Sequence, residues 1–494
     1  MEKVYTFSTN EVFTYVSCEP SVGRELSEHF CFFVPGYKFM PSYKSGAWDG
    51  KIRLFNRQTC LIYKGLVHEL KRFCDKQGYQ FIPEDTKLPA KFTEEHIQEI
   101  VKERYPLTAK GTVITPREHQ AAAIAEALSN DRKILVSPTA SGKSLIAYII
   151  IRMLQDMHKA KVLLVVPTTG LVHQMMNDFD DYSSKDKKWN ANKECHLVYA
   201  GQPKSVKGSN VTITTWQSVF RQPKAFFADY DAVIIDECHL AQANSMKAIL
   251  EKMDNTKYRF GMTGTMHDPK CHQWVLEGLL GRCKQIVTTK QLMEKNLIAN
   301  LKIHCTLLKY PDDVRQAAKG LKYAKEMDFL AQNEKRNEFI VKLAERLKGN
   351  TLVLFQYVDK HGKPLYNSIS KGSKNAHYIA GSVKGDERLE IVNEVEASNN
   401  NVIVASYGTF STGMSIRNLH NIVFASPYKS KFKVLQSIGR GLRLDDGKSL
   451  ATLFDIADDL SWKKTQNHTL KHFTERVKLY NKESFNYKFS QVKI

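Results

Sequence analysis

Long apolar runs are missing from this 494-residue chain. No stretch approaches the ~18 apolar residues that a membrane-spanning helix needs, and residues 148–151 and 162–166 are short enough to read as buried core segments. The opening MEKVYTFSTNEVF has no apolar core ahead of its polar residues, so no secretory leader is expected there. The nine cysteines (18, 31, 60, 74, 195, 238, 271, 283 and 305) include no C-x-x-C pair. Neither a disulfide framework nor a zinc knuckle is expected; Cys271, His272 and Cys283 read as ordinary reduced side chains rather than a metal set. A reducing compartment, the cytoplasm, is the expectation. Fixed-period repeats and low-complexity tracts are absent as well.

Positive charge is abundant. Lys plus Arg number 72 against 52 Asp plus Glu, a formal +20, in a composition otherwise ordinary for a globular protein (42% hydrophobic, 25% charged). An excess of this size favours a polyanionic partner, nucleic acid before an acidic membrane surface. It is graded along the chain: 16 basic against 14 acidic side chains in residues 1–110, 24 against 18 in 111–300, and 32 against 20 in 301–494.

Three blocks are legible. Residues 1–85 mix short alternating strands (51–55) with one helical stretch (66–74), punctuated by Pro35-Gly36 and Asp49-Gly50. Residues 86–114 are polar and read as a connector, with helical periodicity only over 94–101. From 115 to 300 strand and helix alternate, with strands expected at 134–137, 162–166, 211–214, 232–236 and 260–263. The alternation restarts in 301–494, with strands at 352–356, 378–381, 402–406, 422–425 and 452–455. The fold expected is α/β, two lobes with largely parallel sheets after a small α+β domain, with ligands at the carboxyl ends of the strands.

The run Ile134 to Ser144 is an apolar strand, a small-residue loop, then a helix opening with Gly-Lys-Ser. Small residues at Thr139, Ala140, Ser141 and Gly142 let backbone N–H groups close around phosphates, and the helix start adds partial positive charge. Lys143 suits the β- and γ-phosphates, and the Ser144 hydroxyl suits Mg²⁺. Ser137 stands where the full P-loop pattern has its first glycine. The strand 232–235 delivers Asp236-Glu237-Cys238-His239: Asp236 would hold Mg²⁺ and Glu237 would polarise the attacking water. Thr263-Gly264-Thr265 follows another strand. Arg117 and Gln120 open the helix ahead of the P-loop strand, and a Gln there can read the N6/N7 edge of adenine.

In order, Arg117/Gln120, PTASGKS, Val166-Pro167-Thr168-Thr169 with Gln174, Thr214-Thr215-Trp216-Gln217-Ser218, DECH and TGT resemble the motif set of superfamily 2 helicases. The resemblance implies two RecA-like lobes, ATP and Mg²⁺ as cofactors, and hydrolysis coupled to movement on nucleic acid. By the same resemblance Thr168, Thr169, Thr215 and Gln217 touch strand phosphates, and Thr265 couples the γ-phosphate to lobe closure.

The second lobe adds Gln436-Ser437-Ile438-Gly439-Arg440-Gly441-Leu442-Arg443, matching the family's Q-x-x-G-R-x-x-R element. Two arginines three apart share a helix face, the geometry for aiming two guanidinium groups at a γ-phosphate across a cleft. The resemblance makes Arg440 and Arg443 arginine fingers and Gln436 part of the coupling. Residues 405–415 resemble the family's coupling motif, which places Gly413 at the nucleotide and Ser411 and Thr412 at the strand. Ser415 stands where many members carry an acid, and Gly381 with Arg388 resembles a strand-contact segment.

A closer likeness, carried by residues 47–54, 403–420 and 483–487, is to the phage recombination and repair helicases within that superfamily. It implies DNA as partner, branched or duplex (forks, four-way junctions, D-loops, R-loops with their RNA–DNA hybrids), a monomer, and a DNA-binding role for residues 1–85. In that block Lys44, Trp48, Lys51 and Arg53 interleave bases and aromatics as a strand-gripping face would, or as a core would. Residues 461–494, with eight basic and two acidic side chains, fit either a helical tail on the second lobe or a DNA-contacting tail. Two other readings stay open: a DEAD-box-type RNA helicase, against which stand DECH for DEAD and TGT where those proteins carry SAT, and a clamp that binds ATP without hydrolysing it.

Overall fold

The computed structural model describes residues 2–84, 90–199, 208–242, 244–266, 270–383, 385–411, 416–428, 430–442 and 450–494. The chain divides into two units, Met1–Ser137 with Ser141–Val287, and Pro138–Ala140 with Thr288–Ile494. Among the described residues no helix is long and apolar enough to cross a membrane.

The first unit begins with a five-stranded sheet in the order Phe55–Asn56, Leu61–Tyr63, Phe13–Ser17, Lys3–Ser8, Gln80–Ile82. Alternation sets its inner face: Val4 and Thr6 are buried while Lys3 and Phe7 are exposed. Helices Pro20–His29 and Val67–Gln77 bury Leu26, Leu70 and Phe73, and a hairpin of Cys31–Phe33 with Lys51–Arg53 projects beside them.

This small domain is not a tethered module. Its core is continuous with that of the following lobe, Val4, Phe30 and Leu66 sharing one apolar cluster with Leu276, Leu279 and Leu280. Trp274, on helix Lys270–Leu280, lies 5.3 Å from the ring of Phe30 and 5.1 Å from that of Phe32. A Cβ on Gly65 would sit 2.0 Å from the carbonyl oxygen of Glu277, so only glycine allows this approach. The Tyr63 hydroxyl donates to Glu251 Oε1 at 2.6 Å, and Arg132 pairs with Glu11 at 2.6 Å.

The seven-stranded sheet of the same unit is parallel throughout, ordered Cys195–Val198, Val211–Thr215, Val162–Val166, Ala232–Asp236, Tyr258–Thr263, Arg132–Val136, Cys283–Gln285. Val162–Val166 is buried at every position, the pattern of a strand covered on both faces. The stretch expected as a connector carries a helix, Glu94–Arg104, capped by Thr93 and anchored by buried Ile97 and Val101. These two join the core beneath the P-loop helix Lys143–His158.

The second unit holds another all-parallel sheet, ordered Asn375–Ile379, Asn401–Ser406, Asn350–Phe355, Leu419–Phe424, Leu450–Asp459, Asn300–Lys309, Asn486–Lys493. Two predicted RecA-like parallel sheets are thus present. The C-terminal tail differs from expectation: helix His468–Lys482 is followed by strand Asn486–Lys493, paired along Asn300–Lys309. Its alternation of Tyr487, Phe489 and polar residues is strand-like, and the edge of Asn300–Lys309 supplies the hydrogen bonds.

Buried ion pairs fasten helices to this sheet. Arg476 grips Asp455 with two guanidinium nitrogens (Nη2–Oδ1 2.7 Å, Nε–Oδ2 2.9 Å), and Tyr480 donates to the same carboxylate at 2.8 Å. Arg336 and Tyr310 hold Asp458 in the same way.

Candidate active site

The P-loop joins the end of strand Arg132–Val136 to helix Lys143–His158. Ala140 and Gly142 have φ of +68° and +83°, so the backbone folds into a concavity of N–H groups suited to phosphate. Ser137 has no positive φ, and its N–H donates to Thr263 O at 2.9 Å. The first glycine of the P-loop pattern is not required by this backbone.

A Cβ on Gly142 would lie 2.2 Å from Gln120 Nε2, so glycine is required there on two counts. Gln120 is buried, its Oε1 accepting from Arg117 N–H at 2.9 Å and its Nε2 donating to Ser141 O at 3.0 Å. The side chain expected to read adenine therefore fastens the P-loop first, leaving one N–H and one lone pair for a base. His119 Nε2 reaches the same Ser141 carbonyl at 3.0 Å.

Strand Ala232–Asp236 brings the acidic pair opposite the lysine. Lys143 Nζ lies 3.5 Å from Glu237 Oε1 and 3.5 Å from Ser137 O. Glu237 has φ +50°, an uncommon conformation for a non-glycine residue that turns its side chain into the site. Asp236 is buried and accepts from Glu237 N–H at 3.0 Å. Burial first, and Glu237 second, push its carboxyl up to about 6.

That shift has a sign. A carboxyl with a raised folded pKa adds no cost below its ordinary value near 3.8, and costs stability as pH rises through about 6. Without Mg²⁺-nucleotide, Asp236→Asn should therefore be more stable than the parent above pH 6, by roughly 1–3 kcal/mol. The advantage should vanish near pH 4; thermal melts across this range check it.

His239 ties the acidic motif to the TGT segment. Thr263 Oγ1 donates to Thr265 O at 2.9 Å, so the 2.8 Å contact with His239 Nδ1 has the imidazole as donor. The same ring nitrogen is 3.2 Å from Glu237 Oε2. Ser144 Oγ, the expected Mg²⁺ ligand, shares a 2.9 Å hydrogen bond with the Tyr182 hydroxyl. Neither the Tyr182 contact nor the role of His239 follows from motif spacing.

The donor set fits Mg²⁺-nucleotide. A cation and a nest of N–H groups face two carboxylates and a hydroxyl, and the buried Ser141 Oγ has no hydrogen-bond partner among the described residues. Lys143 and the loop 139–142 would hold phosphate, Ser144 and Asp236 the metal ion.

The expected strand-contact residues divide. Thr168 caps helix Thr169–Tyr182, accepting from Leu171 N–H, and Thr169 and Gln217 are exposed. Thr215 is buried with Oγ1 2.9 Å from Ser218 Oγ, so its hydroxyl is not presented at the surface. Arg388 Nη2 donates to Gly381 O at 3.3 Å, which joins the two residues paired in the sequence. Lys44 and Arg53 are exposed, with Arg53 bound to Asp49. Trp48 is half-buried and donates its indole N–H to Lys51 O at 2.9 Å, which braces the hairpin. Gln436 and Arg440 lie on helix Lys431–Gly441 and Ser411 ends helix Tyr407–Ser411. Thr412, Gly413 and Arg443 lie outside the described residues.

Comparison with known proteins fits this geometry. Residues 113–268 match the type III restriction enzyme res subunit family, and residues 334–445 the helicase conserved C-terminal domain. Residues 6–83 match the N-terminal domain of the DNA helicase UvsW. The ATP-dependent DNA helicase uvsW of Enterobacteria phage T4 is 35% identical over 500 residues, covering 97% of both chains. The chain belongs to the UvsW family of ATP-dependent DNA helicases. The crystal structure of T4 UvsW covers 99% of both chains at 32% identity with a TM-score of 0.54. More distantly, the DNA 3'-5' translocase XPB2 of Sulfurisphaera tokodaii is 24% identical over 72% of this chain and 85% of its own length. UvsW membership accounts for the small domain and both lobes together.

Proposed function

We propose that this chain uses Mg²⁺-ATP to remodel branched DNA, namely forks, four-way junctions, D-loops and R-loops, as a monomer. Lys143 neutralises the β- and γ-phosphates, Ser144 and Asp236 hold the metal ion, and Glu237 polarises the attacking water. Arg440 and Arg443 serve as arginine fingers, with Gln436 and Gly413 in the coupling. Residues 1–85 contact DNA, 86–114 connect, and 115–300 and 301–494 form the two motor lobes. Thr168, Thr169, Gln217, Gly381, Ser411 and Thr412 lie along the strand.

The observation that carries the branched substrate is the exposed aromatic and basic end of the small domain. Phe39 and Phe33 are 81% and 52% exposed, and the Lys51 ammonium lies 4.9 Å over the Phe33 ring. Lys38 and Lys44 flank them, both exposed. The exposed Phe39 ring beside lysines, with Phe33 stacked on Tyr37 (centroids 4.7 Å apart), suits an unpaired base next to phosphates, the chemistry of a branch point rather than of intact duplex.

The test compares ATP-driven unwinding of forks, four-way junctions, D-loops and R-loops with that of linear duplex. Branched substrates should be processed preferentially. Phe39→Ala should weaken fork binding about 5- to 150-fold, one base stack, leaving DNA-free ATPase and melting temperature unchanged. Equal rates on linear duplex would sink the branched-DNA reading; unaltered fork binding by Phe39→Ala would remove the hairpin from it.

A further inference from the structure

Helix Val67–Gln77 of the small domain meets helix Lys270–Leu280, which follows the TGT segment, at one cluster of side chains. His68 Nε2 lies 3.4 Å from Glu69 Oε1 and 3.8 Å from Glu277 Oε2. The three donor atoms all fall within 4.8 Å of one another. Glu69 and Glu277 are 7% and 4% exposed.

The tautomer is fixed by a neighbour. His68 Nδ1 is 2.9 Å from Gly65 O, and a carbonyl only accepts, so Nδ1 carries the hydrogen. Nε2 is then the ring nitrogen left to face Glu69 Oε1 and Glu277 Oε2, and Glu69 Oε1 also accepts from Arg72 Nη1 at 2.8 Å. Burial holds this imidazole below its ordinary value, outweighing the pull of Glu277 and Glu69, with Arg282 also opposing a charge there. Each carboxylate has further partners. Glu277 Oε1 accepts from Cys283 N–H and from Gln273, both at 3.1 Å, and Glu69 accepts from Arg72 at 2.8 and 3.1 Å. Those bonds orient both carboxylates toward the imidazole, as second partners orient metal ligands.

We propose that His68, Glu69 and Glu277 bind one divalent transition-metal ion of the zinc class, which staples the small domain to the helix behind the TGT segment. Bond lengths of about 2.0–2.2 Å put tetrahedral donors roughly 3.3–3.6 Å apart, and the observed 3.4 and 3.8 Å need little adjustment to meet that. One imidazole with two carboxylates selects zinc-like ions over Mg²⁺ or Ca²⁺, which favour all-oxygen sets. His68 is 26% exposed, which leaves an entry path and room for a water as fourth ligand. The Gly65 approach that keeps the helices together also keeps the ligands together, so the site depends on the docked small domain.

The test titrates the full chain, stripped with chelator and held in excess Mg²⁺, with Zn²⁺ by calorimetry, and with Co²⁺ by visible absorption. One equivalent should bind, giving a tetrahedral Co²⁺ spectrum and a raised melting temperature. Binding should be lost in His68→Gln and Glu277→Gln and kept in Asp236→Asn, which separates this site from the nucleotide site. His68→Gln alters a partly exposed side chain, so it remains informative if Glu277→Gln fails to fold. Absence of saturable binding, or binding that survives His68→Gln, would overturn the proposal.

Discussion

Glu237→Gln is expected to lower DNA-stimulated ATP hydrolysis by about 10²–10⁴-fold, the usual contribution of a positioned general base, while ATP binding is retained. The substitution keeps the shape of a side chain that the +50° backbone directs into the site. It also keeps a hydrogen-bonding group within reach of Lys143 and His239. What disappears is the negative charge that draws a proton from water. Because Glu237 also raises the Asp236 carboxyl, the neutral replacement lets Asp236 ionise more readily, so Mg²⁺ affinity should not fall. A single-turnover assay alongside nucleotide binding separates the two effects. Undiminished hydrolysis would remove Glu237 from the chemistry.

Arg476→Met should destabilise the second unit by about 3–5 kcal/mol, since it leaves Asp455 buried with no cation. Asp455 is fully buried, and its remaining donors, such as Tyr480, cannot neutralise it. At ~2–4 °C per kcal/mol for a unit of roughly 200 residues, the transition should fall by about 10 °C. The double variant Arg476→Met/Asp455→Leu should recover most of that loss, because apolar replacement of a buried pair is often neutral or stabilising. Calorimetric melts decide it. A small shift in the single variant would mean that water reaches the carboxylate.

The motor lobes were legible because their strands are apolar runs ending in polar loops, and each motif sits at such an end. Lys143, Asp236 and Glu237 come together for that reason, since a strand followed by Gly-Lys-Ser or Asp-Glu fixes their position. Contacts that depend on the third dimension were not legible. Tyr182 reaches Ser144 from 38 residues away with no spacing rule to announce it. The same limit hid the commitment of Gln120 to the P-loop and the burial of Thr215. The union of the small domain with the first lobe was invisible because helix Lys270–Leu280 looks like an ordinary buried helix. Only the partners of Trp274 and the Gly65 approach reveal what covers it. The last strand was missed because a short alternating segment becomes a strand only where a sheet edge receives it.

The most direct measurement is steady-state ATP hydrolysis by the intact chain in Mg²⁺, without nucleic acid and with branched DNA, single-stranded DNA or RNA. The account predicts a low basal rate, strong stimulation by DNA with branched DNA foremost, and weak stimulation by RNA. A rate indifferent to DNA, or one raised by RNA alone, would contradict it.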